Sequence, residues 1–321
     1  MIKYSVVVPI YNRPKELDEL LESLTLQEFT DFEVIIIEDG SSISSEHIAK
    51  KYQSSLKLLY FSKPNEGQGF GRNFGVKYAS GEFLIFFDSD VIVPKEYFKT
   101  VDAYLEDHKI DAFGGEDKAS DDFSDFQKAL SYSMTSFLTT GGIRNKNQNA
   151  GGNYQIRSYN CGIKSELFRE IGGFKKTNMG EDMELNNRLE KLQVLKRLIP
   201  NAFVYHKRRG DFKSFFKQIF SFGRTRVQLK NMYGISIKIV HLFPVGFVLF
   251  TLFAVLLITF NSDYRYLPIG LLSLYFGAIF VHSTVSTLNL KVGFLSAIAS
   301  FIQHLAYGLG FLKEVLFPNK K

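Results

Sequence analysis

The chain holds one cysteine, Cys161, among 321 residues. A single thiol allows neither an intrachain disulfide nor a CxxC zinc site. That composition suits a reducing compartment without requiring one. Tryptophan is absent altogether. No long apolar run opens the chain either. MIKYSVVVPIYNRP offers about five apolar residues before Pro9, where a secretory signal needs roughly 7–15. The N-terminal part is therefore expected to start in the cytoplasm. Charge is what the last quarter lacks, because from about residue 235 onward it nearly vanishes and apolar runs take over.

What is present divides at that point. Residues up to about 230 read as a soluble α/β domain. YSVVVPI (4–10), FEVIIIED (32–39), LKLLYF (56–61) and FLIFF (83–87) are short, apolar and β-branched or aromatic, the pattern of buried parallel strands. Between them, helical spacing over 14–26, 43–53 and 69–79 alternates with the strands, which predicts a doubly wound, mainly parallel sheet. Further helices are expected at 95–107, 164–171 and 181–192, with β character at 111–116 and 194–205. The glycine- and asparagine-rich stretch 141–153 is expected to be a mobile loop.

The formal net charge is +6. Much of it sits in 206–230, where Lys207, Arg208, Arg209, Lys213, Lys217, Arg224, Arg226 and Lys230 face one acid, Asp211. Its place just before the apolar runs favours lipid headgroups and phosphates over nucleic acid as its partner. Phenylalanines interleave with these charges over 211–230, the composition of an amphipathic interfacial helix. Residues 239–260 and 266–285 are long enough to span a bilayer. Residues 292–312 either span or lie in the interface, because Gln303 and His304 interrupt them. The expected domains are 1–205, a basic amphipathic segment 206–234, and a membrane domain 235–321 of two or three helices. The basic flank places the first domain on the cytoplasmic side of an inner membrane.

Three of the strands end in polar signals: Pro9-Ile10-Tyr11-Asn12, Glu38-Asp39-Gly40-Ser41 and Asp88-Ser89-Asp90. Ligands of open α/β sheets bind at the carboxyl ends of strands. Two carboxylates roughly 6–7 Å apart along the chain can share a divalent cation and a sugar phosphate. Oxygen ligands suit Mg²⁺ or Mn²⁺. Each signal has a plain alternative. Asp-x-Asp alone is usually a solvated turn, Ser41 or Ser42 can cap a helix, and Glu181-Asp182 can simply complement a helix dipole.

The stretches SVVVPIYNRPKELDELLESLTLQ, FEVIIIEDGSS, GRNFGVKYASGEFLIFFDSD, NCGIKSELFREIGGF and GEDMELNNRLEK occur in that order. Together they resemble the family 2 glycosyltransferases of GT-A fold, over roughly residues 3–230. The tail, with HLAYGLGFLK, resembles more particularly the polysaccharide-assembly branch related to succinoglycan glucosyltransferases. The resemblance implies a DXD-type transferase using a nucleotide sugar, usually UDP-linked. Its acceptor would be a saccharide or a polyprenyl-diphosphate-linked saccharide in exopolysaccharide biosynthesis. It implies that Asp39 bonds the base and that Pro9 and Tyr11 line the base pocket. Arg72 would face the donor, Asp88 would touch ribose or sugar, and Asp90 would ligate the metal. Asp182 would be the general base, and His206 would complete the metal site or touch the diphosphate. Glu38 stands where the family usually has Asp. Asn160 is a candidate contact to the sugar, Glu184 is expected to be exposed, and Cys161 to pack.

Inverting transfer is a single displacement, so it needs a base on the acceptor side and positive charge on the leaving diphosphate, but no enzyme nucleophile. A nucleotidylyltransferase favours a glycine-rich loop after the first strand, and PIYNRPKE has no glycine. A processive synthase needs more membrane helices and a QxxRW-type motif, which the lack of tryptophan removes. A non-catalytic membrane assembly subunit that keeps the fold is the remaining alternative. Asp39, Asp88, Asp90 and Asp182 are all in place against it.

Overall fold

The computed structural model describes residues 2–118, 123–141, 154–176, 178–206, 210–260 and 263–318. The expected loop 141–153 lies outside them apart from Gly141, as do Lys207, Arg208 and Arg209 of the basic segment. The chain divides into two units: 1–120 with 147–207, and 121–146 with 208–321. The excursion 121–146, which the sequence reading leaves inside 1–205, thus groups with the C-terminal helices.

In the first unit, β1 (Tyr4–Ile10), α1 (Pro14–Thr25), β2 (Phe32–Asp39), α2 (Glu46–Tyr52), β3 (Leu58–Lys63), α3 (Gln68–Val76) and β4 (Phe83–Phe87) alternate as expected. Every residue of β1, β2 and β4 is buried. Helices on both faces explain why these strands read as continuous apolar runs. Each buried Val, Ile, Leu or Phe among them contributes about 1.5–3 kcal/mol through removal from water. There follow β5 (Val91–Ile92), α4 (Tyr97–Asp107), β6 (Ala112–Gly114) and β7 (Asp117–Lys118).

α5 (Asp125–Thr135) and α6 (Phe137–Thr140) belong to the second unit. The first unit resumes with β8 (Asn160–Lys164), α7 (Ser165–Glu170), α8 (Glu181–Lys191), β9 (Lys196–Leu198) and β10 (Val204–His206).

The main sheet runs β3-β2-β1-β4-β8-β6-β9. β1 pairs in parallel with both β2 and β4, so the chain reverses its direction of winding between β1 and β4. That reversal opens a crevice at the strands' carboxyl ends. β8 is antiparallel to β4 and to β6. Its sequence, NCGIK, gave no strand signal. Gly162 is the reason it fits: a Cβ there would stand 2.2 Å from the ring of Phe113 on the neighbouring strand. A second, three-stranded sheet β5-β10-β7 carries His206 at its centre.

Helix α3 lies close on β1 and β2. At Gly75 a Cβ would meet Ile37 Cδ1 at 2.4 Å and Val7 Cγ1 at 2.8 Å. This close approach sets the depth of Arg72 on the same helix.

The second unit contains α5, α6, α9 (Phe212–Tyr233), α10 (Phe243–Thr259), α11 (Tyr266–Thr287) and α12 (Leu290–Leu316). The segments Ile239–Thr259, Asp263–Thr287 and Leu290–Leu316 are long and apolar enough to cross a membrane. They differ in surroundings. Leu249, Leu252, Phe253, Leu267, Leu271 and Leu274 on α10 and α11 are exposed. α12 instead packs along the basic helix α9. Gly223 meets the backbone oxygen of Tyr307, and Gly310 meets that of Phe220. Arg224 of α9 donates to the buried Glu314 of α12 at 2.8 Å.

Candidate active site

The crevice begins at the end of β1. Pro9 is buried in the strand and Tyr11, just beyond it, is half exposed. Asn12 adopts a left-handed conformation (φ 54°) that its side chain helps to hold. Its Oδ1 accepts from the backbone N–H groups of Ser42 (2.8 Å) and Ile43 (3.1 Å), and its own N–H donates to Ser41 Oγ. Ser41 and Ser42 therefore tie β2 to β1. They do not cap α2, which begins at Glu46 after Ser45. The turn at Asn12 sends Arg13 across to Asp90, with which it forms an ion pair.

At the end of β2 two neighbouring acids separate. Glu38 turns inward and is buried, accepting from Ser45 N–H at 2.9 Å, from Ser45 Oγ and from the Tyr60 hydroxyl. Burial opposes its ionisation, but the Tyr60 and Ser45 donors outweigh it and hold the carboxyl below its ordinary range. The extra methylene over Asp thus supports the loop. Asp39 accepts from Lys63 Nζ (2.9 Å), Glu66 N–H (2.9 Å) and Gly67 N–H (2.7 Å). A carboxylate offers about four acceptor positions, so three of them are taken.

Beyond β4, Asp88 and Asp90 meet His206 from β10. One ligand atom from each lies within 4.8 Å of the others. His206 Nε2 is 3.1 Å from Asp90 Oδ1. Burial pushes the Asp88 carboxyl upward despite Arg72. Burial also opposes ionisation of Asp90, yet His206 and Arg13 hold that carboxyl well below the usual range. Two carboxylates and an imidazole in this arrangement fit a divalent cation.

Arg72 links this cluster to α8. Its side chain is 0% exposed, and it donates to Asp88 Oδ1 at 2.5 Å and to Glu181 Oε1 at 3.2 Å. Glu181 also accepts from Gln68 Nε2 (2.6 Å) and Ser158 Oγ (2.9 Å). Gly180 precedes the helix in the left-handed region (φ 88°), where a side chain would be strained. Asp182 follows, half-buried, with Oδ1 accepting from Met183 N–H at 2.7 Å. Burial and the adjacent Glu181 push its carboxyl up to about 6.

Sequence reasoning missed Arg13 and the bracing role of Glu181, and it misplaced two other residues. Asn160 does not point to a sugar: wholly buried, it accepts from Tyr97 at 2.6 Å and donates to the backbone oxygens of Glu116 and Ala202. Glu184 is not exposed: it is buried and accepts twice from Arg188, at 2.7 and 2.8 Å. Cys161 packs in the core as expected, and burial pushes its thiol up.

Comparison with protein-family models matches residues 5–172 to the one described as Glycosyl transferase family 2. Among curated proteins, the poly(ribitol-phosphate) beta-N-acetylglucosaminyltransferase TarS of Staphylococcus aureus is 40% identical over 115 residues, 35% of this chain and 20% of TarS. The minor teichoic acid biosynthesis protein GgaB of Bacillus subtilis is 36% identical over 110 residues, 33% of this chain and 12% of GgaB. The chain thus matches a fifth or less of the length of these relatives.

Two solved structures share its fold. The mannosyltransferase PcManGT from Pyrobaculum calidifontis, in complex with GDP-Man and Mn²⁺, has a TM-score of 0.66 at 14% identity, covering 99% of this chain and 88% of that one. Residues 1–349 of S. aureus TarS, in complex with UDP-GlcNAc, have a TM-score of 0.50 at 21% identity, covering 99% and 93%.

Proposed function

Because the chain belongs to glycosyl transferase family 2, we propose that it is an inverting, metal-dependent transferase moving a sugar from a UDP-linked donor to a saccharide of cell-surface polysaccharide assembly. The observation that carries this reading is the convergence of Asp88, Asp90 and His206 outside β1 and β4, with Arg72 behind them. TarS, which has N-acetylglucosaminyl transfer in its name and was solved with UDP-GlcNAc, supports a UDP-sugar donor. Its poly(ribitol-phosphate) acceptor favours a surface polymer as acceptor here, and we assign that polymer as free or carried on a polyprenyl diphosphate.

The chain's own residues divide the work. Asp39, at the end of β2, keeps one acceptor position for the base, beside Pro9 and Tyr11. Arg72 fixes the orientation of Asp88 toward the sugar and ribose. Asp90 and His206 hold the cation, and the imidazole among the carboxylates favours Mn²⁺ over Mg²⁺. When bound, the cation offsets the charge that builds on the leaving diphosphate. Asp182 takes the proton from the acceptor hydroxyl. A carboxyl titrating near 6 is ionised at neutral pH and still basic enough to receive it.

The second unit supplies the membrane. α10 and α11 expose apolar side chains along their length, and we assign the bilayer contact to them. α12 lies on α9, whose Lys213, Lys217 and Lys230 suit the headgroup layer. This supports an interfacial place for α12 and a cytoplasmic place for the sheet unit.

The experiment is nucleoside-diphosphate release by the purified, detergent-solubilised chain across a donor panel with Mn²⁺ or Mg²⁺. Metal-dependent UDP release that disappears in Asp90→Ala supports the reading. Asp182→Asn should lose release only when acceptor is present. No release and no nucleotide-sugar binding would point instead to a non-catalytic assembly subunit.

A further inference from the structure

Arg13 has no part in the assignments above, and its position is unusual. It leaves the end of β1 directly after the left-handed Asn12 and forms an ion pair with Asp90 Oδ2. The other oxygen of the same carboxylate, Oδ1, faces His206 Nε2 at 3.1 Å. Both oxygens of the residue best placed to ligate a cation are therefore engaged by side chains of the protein. A histidine can give up its proton and become a ligand. A guanidinium cannot, so it must move. The Arg13 side chain is 27% exposed, which leaves it a path outward, while Asp90 at 14% stays inside.

We propose that Arg13 is the counter-ion of the cation-free site, displaced from Asp90 when a divalent cation and a nucleoside diphosphate arrive together. This rests on the metal-site reading given above. A bare cation entering alone must break the Arg13–Asp90 pair and leave the guanidinium without its counter-charge beside a second positive charge. A diphosphate entering with it brings the compensating negative charge. It also gives the freed guanidinium a phosphate to bond, an anion whose geometry suits a guanidinium fork. Arg13 thereby makes cation binding depend on nucleotide binding, and by linkage the dependence is mutual. Asn12, pinned through Ser41 and Ser42 to β2, fixes the root of the side chain so that only its outer part swings.

The experiment measures Mn²⁺ affinity without turnover, from the free-ion electron paramagnetic resonance signal, with and without UDP. It compares the wild-type chain, Arg13→Gln, Arg13→Lys and Asp90→Asn, each checked for a native melting profile. Arg13→Gln is expected to bind Mn²⁺ alone at least about tenfold more tightly than wild type, within the 5–150-fold span usual for linked sites. The gain that UDP gives to Mn²⁺ binding should shrink by a similar factor. Arg13→Lys, which keeps the charge, should stay near wild type. Unchanged or weaker Mn²⁺ binding by Arg13→Gln, with Asp90→Asn still losing the ion, would overturn this proposal and leave the metal site standing. Absence of Mn²⁺ binding in the wild type, with and without UDP, would overturn both.

Discussion

Replacing Glu181 with alanine is the perturbation whose cost the structure specifies best. Arg72 is wholly buried and has two carboxylate partners, Asp88 and Glu181. Glu181 is itself buried and accepts from Gln68 and Ser158 as well. Its removal leaves a buried guanidinium half-neutralised, which costs about 3–5 kcal/mol when one member of a buried pair is lost. For a unit of this size each kcal/mol lowers the midpoint by about 2–4 °C, so Glu181→Ala should melt roughly 6–20 °C below wild type. Glu181→Gln keeps an acceptor oxygen in place and should lose about 1–3 kcal/mol, the price of an imperfectly matched buried group.

Cys161 offers the probe. It is the only thiol of the chain and is buried in β8, so its labelling during a thermal ramp reports unfolding of the sheet unit. Arg72→Ala combined with Glu181→Ala should cost less than the two single changes added together, because the second removes a charge the first has orphaned. A Glu181→Ala midpoint within about 2 °C of wild type would refute the reasoning.

Other outcomes follow from the same geometry. The folded-state carboxyl of Asp182 titrates at about 6, above its ordinary value, so its contribution to stability is lost as pH rises through about 6. Asp182→Asn should therefore be more stable than wild type at pH 7–8, by about 1–3 kcal/mol, and no different below about pH 4, as urea titrations at several pH values would show. With acceptor present, transfer by the wild type should rise with pH through about 6, while Asp182→Asn stays flat and low. Gly75→Ala drives a methyl into Ile37 and Val7 and should cost about 1–3 kcal/mol in the same titrations. In the native chain Cys161 should react with maleimide at least about a hundredfold more slowly than in urea, since both burial and a raised thiol pKa oppose attack.

The parts of the molecule legible in the sequence are those where one physical rule acts alone. β1, β2 and β4 are buried on both faces, so their apolar runs could hardly be anything else. The polar residues at their carboxyl ends mark where the crevice begins. β8 was not legible, because its place depends on Gly162 fitting against Phe113, a contact between residues far apart in sequence. Glu184 read as an exposed helical residue. It is buried because Arg188 covers it, held in place by donating to the backbone oxygens of Ile171 and Gly173 at the end of α7. Asn160 looked free to reach a ligand until Tyr97 and two backbone oxygens took its amide. Arg13 carried one faint signal, a basic residue at the end of the first strand in a chain whose fourth strand ends in two acids. Its pairing with Asp90 depends on the left-handed turn at Asn12, a conformation that asparagine tolerates but does not dictate.

The central claim is that a nucleoside diphosphate and a divalent cation share the crevice at Asp88, Asp90 and His206. The most direct measurement is pulsed electron paramagnetic resonance on the purified chain loaded with Mn²⁺ and UDP, reading magnetic couplings from the ion's neighbours. The account predicts couplings from both phosphorus and a histidine nitrogen in the wild type, the nitrogen coupling lost in His206→Ala and all binding lost in Asp90→Asn. Bound Mn²⁺ without phosphorus coupling, or Mn²⁺–UDP binding unaffected by Asp90→Asn, would contradict it.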